Sequence, residues 1–222
     1  MLRVGLTGGL GSGKSTAARL FAAHGAHVLQ SDAIGRELME PGEAVYAEIA
    51  RHFGPSIVMP DGRLDRSALA KIAFTDGRVE ELNAIVHPAV IARQAELGEG
   101  IAARDPHAVM MIESALIFET KYGSAQDSGG KPWHRRFDRI ILVTASEEVK
   151  IARFVARSGG GLELTAEQRE QLEIEARRRL AQQIPDDQKS ALSDYVLTND
   201  GPLAELEWQV DQLWPILKAA AD

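Results

Sequence analysis

Residues 8–15, Gly-Gly-Leu-Gly-Ser-Gly-Lys-Ser, constrain this chain more than any other stretch. They fit G-x-x-x-x-G-K-[ST], the spacing of a loop that wraps a phosphate. Glycines let the backbone turn its N–H groups inward around an anion. The start of the following helix adds the positive end of a dipole. In such a loop Gly11, Ser12 and Gly13 supply backbone, and Lys14 reaches the β- and γ-phosphates as a point charge. The Ser15 hydroxyl is placed to ligate Mg²⁺, and Thr16 to reach the α-phosphate. The flanks agree: an apolar stretch, Leu2–Thr7, reads as a buried strand, and residues 14–24 read as a helix stopped by Gly25.

The pattern continues as an α/β protein. Residues 27–30 read as a second short strand, so the chain opens strand–loop–helix–strand, the start of a parallel sheet. Residues 108–113 and 139–144 are continuous apolar runs, as buried parallel strands are. Residues 195–198 make a last strand. Between the second and third strands the spacing is helical over 43–53, 66–74 and 78–86. His87-Pro88 is expected to end the last of these, with Pro88 opening another helix to about residue 103. Residues 122–136 are polar and Gly-rich and read as a surface loop. A helix over 146–157 ends at a glycine break, 159–161, and a charged helix follows over 165–183. The terminal helix, 202–221, carries Leu203, Leu206, Val210, Leu213 and Leu217 on one stripe.

Composition narrows the function classes. The 222 residues are 45% apolar and 26% charged, which suits one globular domain or one domain with small inserted lobes. The absence of cysteine excludes disulfides, thiolate metal sites and a Cys nucleophile. A net charge of −7 argues against nucleic acid as a partner but allows a local basic cleft for a phosphorylated small molecule. No apolar run is long enough to span a membrane. The phosphate loop starts at Gly8, leaving no stretch for a cleavable signal, so a cytoplasmic location is expected.

A phosphate loop admits two classes, a small-molecule kinase and a nucleotide switch. A guanine-nucleotide switch would need Asn-Lys-x-Asp to read the base, and the sequence has none. Asp32-Ala33-Ile34-Gly35 matches the switch motif D-x-x-G but lies only one helix after the loop, too close to serve as a switch region. Asp32 follows the second strand, where ligands bind in open α/β sheets. A carboxylate there can orient or deprotonate an acceptor hydroxyl. The competing reading makes Ser31 or Asp32 a helix N-cap. Thr7, at the end of the first strand, either touches acceptor or phosphates or bonds only backbone.

The motif set resembles the dephospho-CoA kinase family over nearly the whole chain. The matching pieces are the loop from Leu6 to Thr16, Ser31-Asp32-Ala33, Glu40-Pro41-Gly42 and His52-Phe53-Gly54. They continue with Asp61-Gly62-Arg63-Leu64-Asp65-Arg66 and Leu82-Asn83-Ala84-Ile85-Val86-His87-Pro88. Further on come Leu116-Ile117-Phe118-Glu119, Arg179 with Gln183, Lys189, Asp194-Tyr195-Val196 and Asn199-Asp200-Gly201. Two departures stand out. Ala115 replaces the family's proline, and Glu113 stands where an aspartate is common. The second departure is the loop 122–136, which is longer than the family's link.

The resemblance implies a three-layer P-loop NTPase fold with a central parallel sheet of about five strands. The core would cover 1–59, 105–157 and 191–222, a helical acceptor lobe 60–104, and a mobile helical lid 158–190. It implies transfer of the ATP γ-phosphate to the ribose 3′-hydroxyl of dephospho-CoA, with Mg²⁺, by a monomer or small homo-oligomer. Asp32 then takes the catalytic place, beside Lys14 and a lid arginine. Arg157 fits the last role, with Arg153 one turn earlier as the alternative; a charge complementing the helix dipole is the other reading of Arg157. Arg66 and His87 fall in the acceptor lobe. Glu113 joins Ser15 at the metal as an outer-sphere ligand or holder of a metal water; an acid solvated at the cleft rim is the other reading. Asn199 lines the ATP adenine pocket or is a turn residue.

Overall fold

A computed structural model of the chain describes residues 1–120 and 132–222. In chain order the elements are β1 (Leu2–Thr7), α1 (Lys14–Ala23), β2 (His27–Gln30), α2 (Ser31–Leu38) and α3 (Ala44–Phe53). α4 (Arg66–Ala70), α5 (Val79–Arg104), β3 (Val109–Glu113) and β4 (Arg139–Thr144) follow. The chain closes with α6 (Glu147–Ser158), α7 (Ala166–Ala181), α8 (Asp186–Ser190), β5 (Tyr195–Thr198) and α9 (Leu203–Ala219). Two compact units form. One comprises Met1–Leu29, Ile101–Glu119 and Trp133–Asp222; the other is built on Gln30–Gly100. The second unit thus begins at Gln30, earlier than the residue 60 at which the sequence divides core from lobe.

In the first unit the sheet order is β2-β3-β1-β4-β5. β1 pairs in parallel with β3 and β4, and β4 with β5. Parallel strands are covered on both faces, and the strand side chains divide accordingly. Leu2, Val4 and Leu6 of β1, Met111 of β3 and Val143 of β4 join Phe21 of α1 and Leu206, Val210, Leu213 and Leu217 of α9 in one core. Met110, Ile112 and Ile140 point the other way, to Ile101, Ile117, Trp133 and Phe137. The terminal stripe holds with one exception: Leu203 is 51% exposed. A helical side chain leans over the turn before its own Cα, and the first residue of a helix has no such turn to cover.

The expected surface loop 122–136 lies largely outside the described residues. Its far end is not a surface loop. Pro132–Arg135 forms a 3₁₀ turn, and Trp133 is buried with its ring edge-on to Phe118 at 5.1 Å.

The second unit has its own core of Val45, Ile49, Phe53, Ile57, Leu64 and Leu69. Asp61-Gly62 forms a turn, with Gly62 at φ 85° and a Val58–Leu64 bridge behind it. Asp65 caps α4 by accepting from the N–H groups of Ser67 and Ala68. The helix expected over 66–74 is α-helical only to Ala70; Lys71–Thr75 widens into a π turn.

The helix break expected at His87-Pro88 does not occur. α5 runs unbroken through Pro88 for 26 residues. An interior proline costs about 3 kcal/mol through its missing N–H and its clash with the preceding turn. Packing on both sides of the proline offsets it. Val86 and Val90 lie against α2 at Gly35, where an added Cβ would sit 3.8 and 3.6 Å from them. One turn on, Gln94, buried, donates to the Ser31 hydroxyl at 2.9 Å.

Candidate active site

The phosphate loop joins β1 to α1, at the carboxyl end of the central strand. Gly11 (φ 72°) and Gly13 (φ 91°) hold left-handed backbone that a side chain would strain. Close approach excludes side chains there as well. A Cβ on Gly11 would lie 2.3 Å from the Lys150 carbonyl oxygen, and one on Gly13 would lie 1.9 Å from Asn199 Nδ2. Gly13 stands at the N-cap of α1, where no side chain competes for the first-turn N–H groups. The Thr16 N–H donates to the Gly13 carbonyl at 2.9 Å, and the helix start presents the positive end of its dipole, which suits an anion.

Behind the loop, β3 delivers Glu113. Ser15 Oγ donates to Glu113 Oε1 at 2.6 Å, and Lys14 Nζ lies 3.9 Å from the same oxygen. Glu113 is 8% exposed, and its Oε2 is buried without a hydrogen-bond donor among the described residues. A buried carboxylate oxygen left over in this way needs a cation or water. A hydroxyl and a carboxylate are the hard oxygen donors that Mg²⁺ takes, so the residues present fit that ion. Among the described residues no cluster of three or more metal-ligating side chains forms, so phosphate and water oxygens would complete its shell. Thr7 and Ser12 are also buried, each with a hydroxyl lacking a partner among the described residues.

Asn199 is placed by β5, its N–H donating to the Thr144 carbonyl at 2.8 Å. Its Nδ2 donates to the Ser12 carbonyl at 2.8 Å. Its own carbonyl and Oδ1 accept from Arg153 at 2.8 and 3.3 Å. Asn199 therefore serves the loop by gripping its backbone, and both ends of its amide are engaged in doing so. Arg153 is the α6 arginine at the loop. Arg157 lies in the last turn of α6, exposed, 6.0 Å from the Phe154 ring centroid. Arg179 of α7 approaches the same ring at 5.5 Å and pairs with Glu175. Arg177 and Arg178 pair with Glu173 and Glu175 along their own helix. Held between two guanidinium groups, Glu175 has its carboxyl lowered to about 2. Asp200, next to Asn199, lies below the usual carboxylate range because it accepts from the Ser146 N–H at 2.6 Å.

The second unit carries the other candidates. α2 starts at Ser31 with Gln30 at the cap position, so neither Ser31 nor Asp32 is the N-cap. Asp32 sits in the first turn, exposed, and its carboxylate makes no hydrogen bond or ion pair among the described residues. Its charge suits the positive end of α2. Arg66 opens α4 and donates to Glu40 at 3.0 Å. His87 lies inside α5. The fold thus gathers Asp32, Arg66 and His87 into one unit, and the loop residues, Glu113, Arg153, Arg157 and Asn199 into the other.

Four polar residues at the site carry no local signal in the sequence that would mark them. Lys150 is buried and bonded to Asp186, which also accepts from the Thr144 hydroxyl. Gln183 accepts from the Leu10 N–H at 3.1 Å. Lys189, fully buried, pairs with Glu119 at 2.8 Å and donates to the Ala115 carbonyl at 3.4 Å. Only Gln183 and Lys189 fall in the family pattern; partners 36 to 173 residues away are invisible to local spacing.

Comparison with known proteins decides the family. The dephospho-CoA kinase family model matches residues 2–205. The chain belongs to that family. Among similar proteins, the dephospho-CoA kinase of Thermobifida fusca is 36% identical over 219 residues, covering 98% of this chain and 97% of its own. That of Streptomyces avermitilis is 39% identical over 215 residues, covering 96% and 93%. The crystal structure of the Thermus thermophilus protein TT1252 is similar at a TM-score of 0.72 and 32% identity, covering 97% of each chain. Shikimate kinase from Bacteroides thetaiotaomicron shares the fold alone, at a TM-score of 0.52 and 15% identity over 98% of each chain. This family member is accordingly a phosphate-transferring enzyme with a P-loop kinase fold and a nucleotide-binding loop.

Proposed function

We propose that the chain carries the ATP γ-phosphate to the ribose 3′-hydroxyl of dephospho-CoA, giving coenzyme A and ADP, with each compact unit holding one part of the machinery. The observation that supports this most is the Ser15–Glu113–Lys14 cluster behind an anion-shaped loop, in a chain matched to the family almost end to end.

The loop N–H groups and Lys14 take the β- and γ-phosphates. Ser15 and Glu113 hold Mg²⁺, which when bound neutralises charge on the phosphate oxygens. Asp32, unpaired by any side chain among the described residues, orients the acceptor hydroxyl or takes its proton as the oxygen attacks phosphorus. Arg66 and His87 belong to the acceptor side, and Thr7 to the sheet end. Arg157, at the edge of the segment 158–190, is the lid cation for charge that spreads over the γ-oxygens, and Arg153 and Asn199 keep the loop in shape for ATP. Closure of the part of that segment that precedes Gln183 excludes water, which would otherwise hydrolyse ATP. The substrate is a small molecule, and the working compartment is the cytoplasm.

The test is Mg²⁺-dependent ADP release with dephospho-CoA, beside AMP, CMP, UMP and no acceptor. Release with dephospho-CoA only, with coenzyme A as product, is the expected result. Release with a nucleoside monophosphate instead would reassign the acceptor, and ATP binding without release to any acceptor would end the kinase reading.

A further inference from the structure

The outer side of the phosphate loop is covered by side chains from the far end of the segment 158–190. Gln183 follows the cap of α7, and its N–H donates to the Leu180 carbonyl at 3.0 Å, so its backbone is anchored. Its Oε1 accepts from the Leu10 N–H at 3.1 Å. Three residues on, Asp186 accepts from Lys150 and from Thr144 at the end of β4. Both groups sit over the start of the loop. A Cβ on Gly9 would lie 3.1 Å from Gln183 Oε1, 3.6 Å from Asp186 Oδ1 and 3.7 Å from Lys150 Nζ.

This arrangement answers a physical problem. A loop with five glycines or serines among residues 8–13 loses much backbone freedom when it orders around phosphate. Preorganising it before ATP arrives reduces that cost. Asn199 holds the loop at Ser12, and Gln183 holds it at Leu10. Leu10 N–H is the donor whose partner comes from the segment read as the lid.

We infer that Gln183 is a positioning residue, holding the phosphate loop through Leu10 in its anion-receiving shape and tying that shape to the 158–190 segment. The inference rests on the reading of the loop as the ATP site. Asp186, tied to Lys150 and Thr144, fixes the same stretch of chain to the first unit, so Gln183 reaches the loop from an anchored base.

The experiment compares the full-length protein with Gln183→Met, which keeps the volume and loses the acceptor, and with Gln183→Glu, which keeps an acceptor oxygen. Three quantities are read: Leu10 amide exchange by NMR, and KM for ATP and for dephospho-CoA. In Gln183→Met, Leu10 exchange and KM for ATP each rise roughly fivefold to tenfold, the worth of one hydrogen bond. KM for dephospho-CoA stays within about twofold. Gln183→Glu restores Leu10 protection. Gln183→Ala gives the same comparison should Gln183→Met fail to fold. Unchanged Leu10 exchange with unchanged ATP affinity overturns the inference. So does an equal loss for both substrates, the mark of a general structural role. Failure of the kinase reading is separate: the wild-type protein would then make no coenzyme A, while Leu10 exchange would still report on Gln183.

Discussion

At the scale of single residues, the site is organised by which polar atoms have partners. Glu113 has one oxygen satisfied by Ser15 and one buried without a donor among the described residues. Replacing it with Gln keeps the shape and removes the charge. The apparent Mg²⁺ requirement of Glu113→Gln should rise roughly tenfold or more, in line with losses at metal-orienting groups; an unchanged Mg²⁺ titration would remove Glu113 from the metal site. Asp32 is the opposite case, an exposed carboxylate with no side-chain partner among the described residues. The structure removes its capping alternative, since Gln30 holds that position. Asp32→Asn should bind ATP as the wild type does and lose about 10²-fold or more in kcat, the usual worth of a positioned base. Full turnover in that variant would leave Asp32 with no catalytic part.

At the scale of elements, α5 and its contacts decide how the second unit holds together. Pro88 withholds one helical hydrogen bond from a helix that nevertheless runs on. Pro88→Ala restores the N–H and should stabilise the protein by about 1–3 kcal/mol in urea unfolding, up to the full penalty of an interior proline. A loss of stability instead would mean that the helix packs on Gly35 only in the shape the proline imposes. Near the start of α5, Arg78 and His52 both bond Glu81 and lower its carboxyl from 4.5 to about 2, Arg78 contributing most. A carboxyl lowered on folding stabilises above its unfolded value, and that contribution drains away as pH falls toward the folded value. Thermal stability should therefore drop between about pH 4.5 and about 2, and Glu81→Gln should flatten that part of the profile. A wild-type slope retained in the variant would show that other carboxylates carry it.

At the scale of the whole molecule, the residues assigned to the nucleotide lie in one compact unit, and Asp32, Arg66 and His87 of the acceptor side lie in the other. Each substrate should therefore stabilise the protein through its own set of contacts. Mg²⁺-ATP at a hundredfold excess over its Kd adds about 2.7 kcal/mol to the folded state by mass action. For a chain of this size that is a rise in Tm of roughly 5–10 °C. Lys14→Ala should abolish most of the ATP-dependent rise and keep the rise produced by dephospho-CoA. Loss of both would mean that the two sites are one thermodynamic unit.

Local chemistry alone determined a good part of this protein. The glycine spacing, Lys14 and Ser15 specify the phosphate loop because anion binding there uses backbone and neighbouring residues. The apolar runs of β1, β3 and β4 specify buried parallel strands because both their faces are covered. Asp32 and Glu113 stand at strand ends, where sequence alone makes them candidates. The tertiary structure decided what depends on partners far along the chain. Pro88 is tolerated because α2 and α5 pack at Gly35 and Ser31. Trp133 is buried because Phe118 meets it. Asn199 grips Ser12, 187 residues away, and Gln183 grips Leu10, 173 residues away. Spacing reports the period of one helix or strand; a hydrogen bond across such distances exists only once the sheet has brought its strand ends together.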